Sequence, residues 1–303
     1  MSVKTQFSIR DLENLSGVKA HTIRIWEKRY RLLKPERTET NIRYYDLNSL
    51  KRLLNVSFLY KDGYKISRIA ELDESEIKSL IKEKSELNQD VYALNAFKTA
   101  MFDFDEQLFS KTYLELSLKK SFKEIFHEVF IPLLSEIGTL WQTSTIDPCH
   151  ESFISELVKR KVIINIDLQI QNFKKSGDMQ FALFLPYSEI HEIGLLFCHF
   201  EILSAGFNAI YLGANIPLES LKNLKQKDPD ITFVSYVTMH PEGKSIYDYI
   251  SEYKAQLCDE KICNLWLLGS KVQQIDLESI PSEVMIIPSL EQLSLKLNTL
   301  KKY

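Results

Sequence analysis

Apolar residues along this chain recur with three different spacings, and each predicts a different kind of structure. From Phe7 to Leu72 the spacing is helical in short stretches: Leu12 and Leu15 line the inner side of one helix, and Ile23, Trp26 and Tyr30 that of a second. Ser8 stands where it can cap the first helix, and Gly17 supplies the break between the two. The pattern is that of a helix-turn-helix whose second helix leaves His21, Thr22, Arg24 and Lys28 on its outer side. A basic loop punctuated by Pro35 follows, then the strand-like "IRYY" at 42–45 and two more amphipathic helices, so that loop and strand read as a wing.

Beyond Leu72 the stretch "DESEIKSLIKEKSELNQD" is charged and lacks sustained apolar heptads, which predicts a short helix and linker rather than a coiled coil. The runs 92–118, 121–140 and 150–173 are helical by periodicity, broken near Lys119–Ser121 and by "STIDP" at 144–148, and predict a four-helix-type bundle. From Gln180 the texture changes again. "FALFLP", "NAIYLG", "ITFVSY", "NLWLLG" and "VMIIPS" are short continuous apolar runs separated by amphipathic stretches, the pattern of parallel strands buried on both faces of a doubly wound, flavodoxin-like sheet. The expected organisation is multi-domain, α and α/β: a winged helix-turn-helix at 1–75, a helical linker at 76–91, a bundle at 92–175 and an α/β domain at 178–303.

Charge changes the picture at one end. Residues 1–70 hold 15 Lys and Arg against 7 Asp and Glu, leaving 23 against 34 for the rest of a chain whose net charge is −3. A basic module on an acidic body is the footprint of a nucleic-acid-binding head joined to something that must not bind nucleic acid. No apolar run is long enough to span a bilayer, and "MSVKTQFSIR" has no core of the kind a signal peptide carries, so a soluble, cytoplasmic protein is expected. The four cysteines, Cys149, Cys198, Cys258 and Cys263, show neither CxxC spacing nor the density of a disulfide scaffold and read as reduced. The sequence holds no GxSxG, no HExxH and no phosphate-cradling Gly-rich loop, so an enzyme is not expected.

One imidazole stands apart. In "LPYSEIHEIGLLF", residues 185–197, His191 follows the first predicted strand of the sheet, at the edge where open α/β sheets bind ligands.

The N-terminal segment resembles the MerR family of transcriptional regulators, in the branch reading TIRxWExRYxLLxPxRTxxxxRxY, matched by Thr22 to Arg24, Trp26, Glu27, Arg29, Tyr30, Leu32, Leu33, Pro35, Arg37, Thr38, Arg43 and Tyr45. The resemblance implies that the second helix enters the major groove with His21 and Thr22 near bases, and that Arg24, Arg37, Arg43 and Tyr45 hold phosphates. Asn41 stands where the family has glycine, and asparagine tolerates the left-handed backbone of a tight wing turn.

"EIHEIG" resembles the DxHxxG signature of cobalamin-binding modules. That resemblance implies that His191 replaces the cofactor's own base beneath cobalt, that Glu189 fixes its tautomer, and that Gly194 lets the helix start approach the corrin. It further implies that the Ser235 hydroxyl meets the displaced base, and that Gly269 and Ser270 line the slot of the nucleotide tail, with Ser270 replacing a glycine. In the bundle, Trp141 is followed after nine residues by Glu151, the spacing of the cap over the corrin in regulators that join both modules, but Ser152 stands where those have histidine. Across the whole chain the likeness is to the light- and corrinoid-responsive repressors of carotenoid genes. It implies an adenosylcobalamin or methylcobalamin cofactor, an operator DNA partner and a homo-oligomer, dimer or tetramer. Gln142 and Ser152 replace the cap histidines of light-sensing relatives and leave His150 as the nearby imidazole, so control is expected mainly through presence of cofactor, with assembly through the C-terminal domains. A second reading stays open on Glu189, Ser152 and Ser270: a corrinoid-independent regulator switched by a partner protein docking on the C-terminal domain.

Overall fold

The computed structural model describes residues 4–85, 88–258, 264–273 and 275–301. They fall into two compact units, divided between Val158 and Lys159.

In the first unit, α1 (Ile9–Ser16) opens with a capping box: Ser8 Oγ accepts the Asp11 N–H at 3.2 Å and the Asp11 carboxylate accepts the Ser8 N–H at 2.8 Å. It ends at Gly17, whose φ of 71° only glycine adopts without strain. Leu12, Leu15 and Ile23 are fully buried between α1 and α2 (Ala20–Tyr30), and Trp26 nearly so. The wing is a two-stranded antiparallel ribbon, β1 (Glu36–Arg37) with β2 (Arg43–Tyr44), and Asn41 takes the expected left-handed turn at φ 65°. α3 (Leu47–Lys61) and α4 (Ile66–Glu71) complete the head.

The charged stretch after Leu72 folds as α5 (Glu74–Ser85). The helical run expected over 92–118 is two helices, α6 (Gln89–Asp103) and α7 (Glu106–Ser117), because Phe104 turns left-handed at φ 52° and Asp105 caps α7 by accepting the Leu108 N–H at 2.9 Å. A left-handed phenylalanine between two apolar stretches has no signature in apolar spacing. α8 (Phe122–Ile125) passes through one π turn at Phe126–Phe130 into α9 (Ile131–Gln142), and α10 (Pro148–Gln171) follows. Phe97, Phe109, Phe126 and Phe130 form the bundle core, with Phe97 and Phe109 ring centroids 4.6 Å apart. Head and bundle pack directly on one another: Lys98 Nζ reaches the Leu15 carbonyl at 3.3 Å, Asn14 reaches Thr145 at 3.0 Å, and Phe7 meets Phe102 edge-on at 5.5 Å.

The second unit is a five-stranded, all-parallel sheet of β3 (Gln180–Phe184), β4 (Asn208–Gly213), β5 (Thr232–Tyr236), β6 (Asn264–Leu268) and β7 (Val284–Ile286), in the spatial order β4-β3-β5-β6-β7. The helices α11 (Glu192–Ser204), α12 (Leu218–Lys227), α13 (Ile246–Leu257) and α14 (Leu290–Leu300) cover it. α12 and α13 bury Phe184, Phe233, Val237 and Leu267 on one face, and α11 packs beside α14 on the other, where Ser294 hydrogen-bonds Glu201. The chain leaves β3 for one edge and later leaves β5 for the other. The carboxyl ends of β3 and β5 therefore flank the topological switch point, where a doubly wound sheet opens a crevice.

One expectation is corrected here. Cys258, at the end of α13, is disulfide-bonded, whereas Cys149 and Cys198 are free thiols. Cys263 lies outside the described residues. Absence of CxxC spacing does not exclude a disulfide. Among the described residues no helix is long and apolar enough to cross a membrane.

Candidate functional site

On the head, α2 turns Trp26 and Ile23 inward, so His21, Arg24 and Lys28 are exposed and Thr22 is half-buried, as helical spacing predicts. Arg37 and Arg43 face each other across the wing ribbon and are exposed. Arg37 reaches back to the turn, its Nη1 2.6 Å from Asn41 Oδ1 and 3.3 Å from the Asn41 carbonyl. Arg43 lies 3.8 Å from the Glu27 carboxylate, which ties wing to α2.

Tyr45 is a correction. It is fully buried, and its backbone exchanges both hydrogen bonds with Phe7 at 2.9 and 2.8 Å. Its hydroxyl donates to Glu27, and burial first, then that carboxylate, push the phenol well above its ordinary range. It cannot hold a phosphate from there. The strand period of two explains why: Tyr44 and Tyr45 face opposite sides of the ribbon, and Tyr44, half-buried with its hydroxyl on Glu36, is the one turned outward. Ile42 is 64 % exposed at the wing turn.

In the sheet unit, His191 is the N-cap residue of α11, immediately after the loop from β3. Its ring is half exposed, while the Glu189 carboxylate beside it is 1 % exposed. Glu189 Oε1 accepts the backbone N–H groups of Ile190 and His191, both at 3.0 Å, and lies 2.6 Å from His191 Nδ1. Oε2 accepts from the Thr238 N–H at 2.7 Å, the Thr238 hydroxyl at 2.9 Å and the Met239 N–H at 2.8 Å. Burial alone would raise this carboxyl, but the hydrogen bonds from His191, Thr238 and Met239 outweigh it and bring the group down to about 2. An ionised carboxylate only accepts, so Nδ1 carries the imidazole proton and Nε2 the ring's lone pair. The extra methylene of Glu189 costs nothing in reach.

Thr238, the hydroxyl that follows Ser235 past the end of β5 in the sequence, completes the set. It sits 2.9 Å from His191 Nδ1 and clamps the carboxylate from the end of β5. Its signal was available as a hydroxyl just past a strand end, but only the topology puts β5 next to β3.

The remaining expected residues divide. Gly194 is needed for close approach, but what approaches is a side chain: a Cβ there would stand 2.5–2.6 Å from the Tyr236 ring. Ser235 is fully buried, and its hydroxyl has no hydrogen-bond partner among the described residues. Alternation along β5 puts it on the face of Phe233 and Val237, toward α12 and α13, so Tyr236 is the β5 side chain that meets the start of α11. Gly269, at φ 106°, has a backbone reason to be glycine, since a Cβ would lie 2.3 Å from the Val237 carbonyl oxygen. Ser270 is exposed. Trp141 and Glu151 belong to the first unit, Trp141 half exposed on α9 and Glu151 half-buried in the first turn of α10. His150, considered as a cap imidazole, is 1 % exposed and stacks on Phe104 with ring centroids 5.1 Å apart. Burial lowers its pKa, and it packs as a neutral core ring.

The donor set fits a soft-to-borderline metal ion presented from outside: one oriented imidazole, locked by a buried carboxylate and a hydroxyl. The family matches fall on the head and the bundle. Residues 7–76 match the family described as MerR HTH family regulatory protein, and residues 93–164 match that described as B12 binding domain. The chain is 27 % identical over 222 residues to the HTH-type transcriptional repressor CarH of Myxococcus xanthus, covering 71 % of this chain and 73 % of that protein. To CarA, an HTH-type transcriptional repressor of the same organism, it is 24 % identical over 237 residues, covering 76 % of each. In fold it is similar to the monomethylamine corrinoid protein of Methanosarcina barkeri, with a TM-score of 0.56 at 15 % identity over 67 % of this chain and 96 % of that one.

Proposed function

We propose that this chain, which carries a MerR-type helix-turn-helix and a B12-binding domain, is a transcriptional repressor whose operator binding is controlled by cobalamin. The observation that carries the reading is the clamp at the switch point: Glu189, buried and ionised, holds a half-exposed His191 through Nδ1, in a chain that begins with a winged basic head. The clamp also joins the start of α11 to the end of β5, but the ring it holds is left half exposed. Such a clamp orients an imidazole toward a ligand.

Bound cobalamin would supply a cobalt ion able to take an imidazole nitrogen. His191 would provide that nitrogen, Glu189 would hold the proton at Nδ1 and raise the basicity of Nε2, and Thr238 would keep the carboxylate from turning away. Trp141 and Glu151, at the spacing found in corrinoid caps, would belong to the cap. On the head, His21 and Thr22 would lie nearest the bases, with Arg24, Lys28, Arg37 and Arg43 on phosphates. The protein acts by binding in this reading, not by catalysis, as a cytoplasmic homo-oligomer on double-stranded DNA. A regulator moves only as far as its ligand's differential affinity for two states allows, so cofactor-loaded and cofactor-free protein must differ in assembly or in operator affinity.

The test is absorption titration of the protein with adenosylcobalamin and methylcobalamin in the dark, with gel filtration and operator binding of the same samples. The expected result is a shifted corrinoid spectrum and a changed elution volume and operator affinity. An unshifted spectrum at high protein concentration, with operator binding intact, would overturn corrinoid control and favour a protein partner as the switch.

A further inference from the structure

A groove of about 550 Å³ opens in the first unit, lined by residues of α3 in the head, of α6 and α7 in the bundle, and of α5 between them in the chain. Helical spacing explains what it presents. Tyr92, Asn95, Ala96 and Thr99 stand at i, i+3, i+4 and i+7 along α6 and share one face, which lines the groove. A face packed into a core would be apolar throughout, yet this one carries a phenol, an amide and a hydroxyl, all half-buried. Among the described residues the Tyr92 hydroxyl and the Asn95 amide have no hydrogen-bond partner, and neither has the Asn55 amide that α3 contributes. Phe58, Ile81 and Ala96, all buried, supply the apolar part of the lining.

The charge at this groove is one-sided. Lys78, Lys82, Lys111 and Lys119 line it against a single carboxylate, Glu115. Beyond residue 70 the chain holds 34 Asp and Glu against 23 Lys and Arg, so this is a local reversal of the trend. Lys78 and Lys111 are exposed, and among the described residues neither forms an ion pair. Like charges gathered at one opening repel, and a bound anion relieves that repulsion. A volume within the range of small-molecule sites, an apolar lining with a few unpaired polar groups, and a cationic rim together define the complementary ligand.

We propose that this groove is a binding site for a small amphiphilic anion, a carboxylate or phosphate head on an apolar body. The body lies on Phe58, Ile81 and Ala96, and the head is held by the lysines. Because α3 lies in the head and α6 and α7 in the bundle, the ligand touches both. The groove shares no residue with the His191 clamp, so the proposal stands apart from the corrinoid reading.

The experiment is isothermal titration calorimetry of the full-length protein, without corrinoid, against decanoate, decyl phosphate and uncharged 1-decanol. Wild type is compared with Lys78→Ala/Lys111→Ala, whose two positions are exposed, and circular dichroism verifies that the variant is folded. Wild type should bind at least one of the two anions with one-to-one stoichiometry, and decanol at least about 10-fold more weakly. The double variant should weaken the anion about 5-fold and change decanol by less than about 2-fold. The tighter of decanoate and decyl phosphate identifies the head group. Saturable binding of neither anion, decanol binding as tightly as the anions, or an unchanged affinity in the double variant overturns the site. A glutamate-rich peptide that binds where both small anions fail would make the groove a protein-docking surface and overturns it likewise.

Discussion

Two buried carboxylates, Glu27 in the head and Glu189 in the sheet unit, do similar things with opposite results. Each takes a proton donor from an aromatic side chain: Glu27 from the Tyr45 hydroxyl, Glu189 from the His191 ring. Each joins two elements distant in sequence, Glu27 the recognition helix to the wing strand and Glu189 the start of α11 to the end of β5. In the head the aromatic partner is fully buried, so the pair is a strut. In the sheet unit the partner is half exposed, so the pair is a handle that presents a nitrogen. Burial of the carboxylate says that a geometry is being held; exposure of its partner says whether the geometry is for the fold or for a ligand.

Breaking the handle should give the largest effect. His191→Ala removes the ligating atom and should cost on the order of 100-fold or more in cobalamin affinity, whereas Glu189→Gln keeps the shape, loses the charge and should cost about 10-fold. Absorption titration of the three proteins measures both, and equal losses would mean that Glu189 does more than orient the ring.

Acid sharpens the same comparison. The Glu189 carboxyl has an ordinary value of 4.5 and a folded value of about 2, so it favours the folded state fully above 4.5, and that contribution disappears as pH falls from 4.5 toward 2. Wild type should therefore exceed Glu189→Gln by roughly 2–3 kcal/mol near neutrality. Their denaturant midpoints should converge only as the pH reaches about 2. A gap that is constant with pH would place the effect in lost packing instead.

How much of this was legible in the sequence follows from which interactions are local. Ser8, Gly17, Asn41 and the α2 face were readable because caps, left-handed turns and helical spacing act within a few residues. The five strands and their order class were readable because parallel strands announce themselves as continuous apolar runs. Glu189 and His191 were readable for the same local reason, being two residues apart. The pairing of Thr238 with them was not, because it depends on β5 lying beside β3, a contact across 47 residues in the Thr238 and His191 case. Tyr45 was misassigned by motif when the alternation of a two-residue strand pair decides it. Phe104 broke an apolar run that periodicity joined, through one backbone angle.

Electrostatics at the head should give an intermediate effect. Arg24 and Lys28 are exposed on the α2 face, and each alanine substitution should weaken binding to all operators by similar factors and lower the salt slope by about one. Arg43→Ala should lower the slope likewise but also loosen the wing, because its guanidinium is shared with Glu27. Binding isotherms at several salt concentrations separate the two, and loss at a single base position with an unchanged slope would contradict a phosphate role.

Breaking the strut should give the smallest effect, confined to stability. Tyr45→Phe leaves the ring in its fully buried place and the Phe7 backbone pairing untouched, since neither involves the hydroxyl. What is lost is one hydrogen bond to a carboxylate whose side chain is 9 % exposed and which keeps Arg43 at 3.8 Å. The cost should be about 1 kcal/mol, a melting shift of roughly 2–4 °C for a unit of this size. Operator affinity at matched temperature, and its salt slope, should not change, because a fully buried phenol makes no phosphate contact. The outcome that would reverse this is a Tyr45→Phe protein with wild-type melting and weakened operator binding. That result would mean that the wing opens on DNA to bring Tyr45 out, and that Glu27 is a latch rather than a strut.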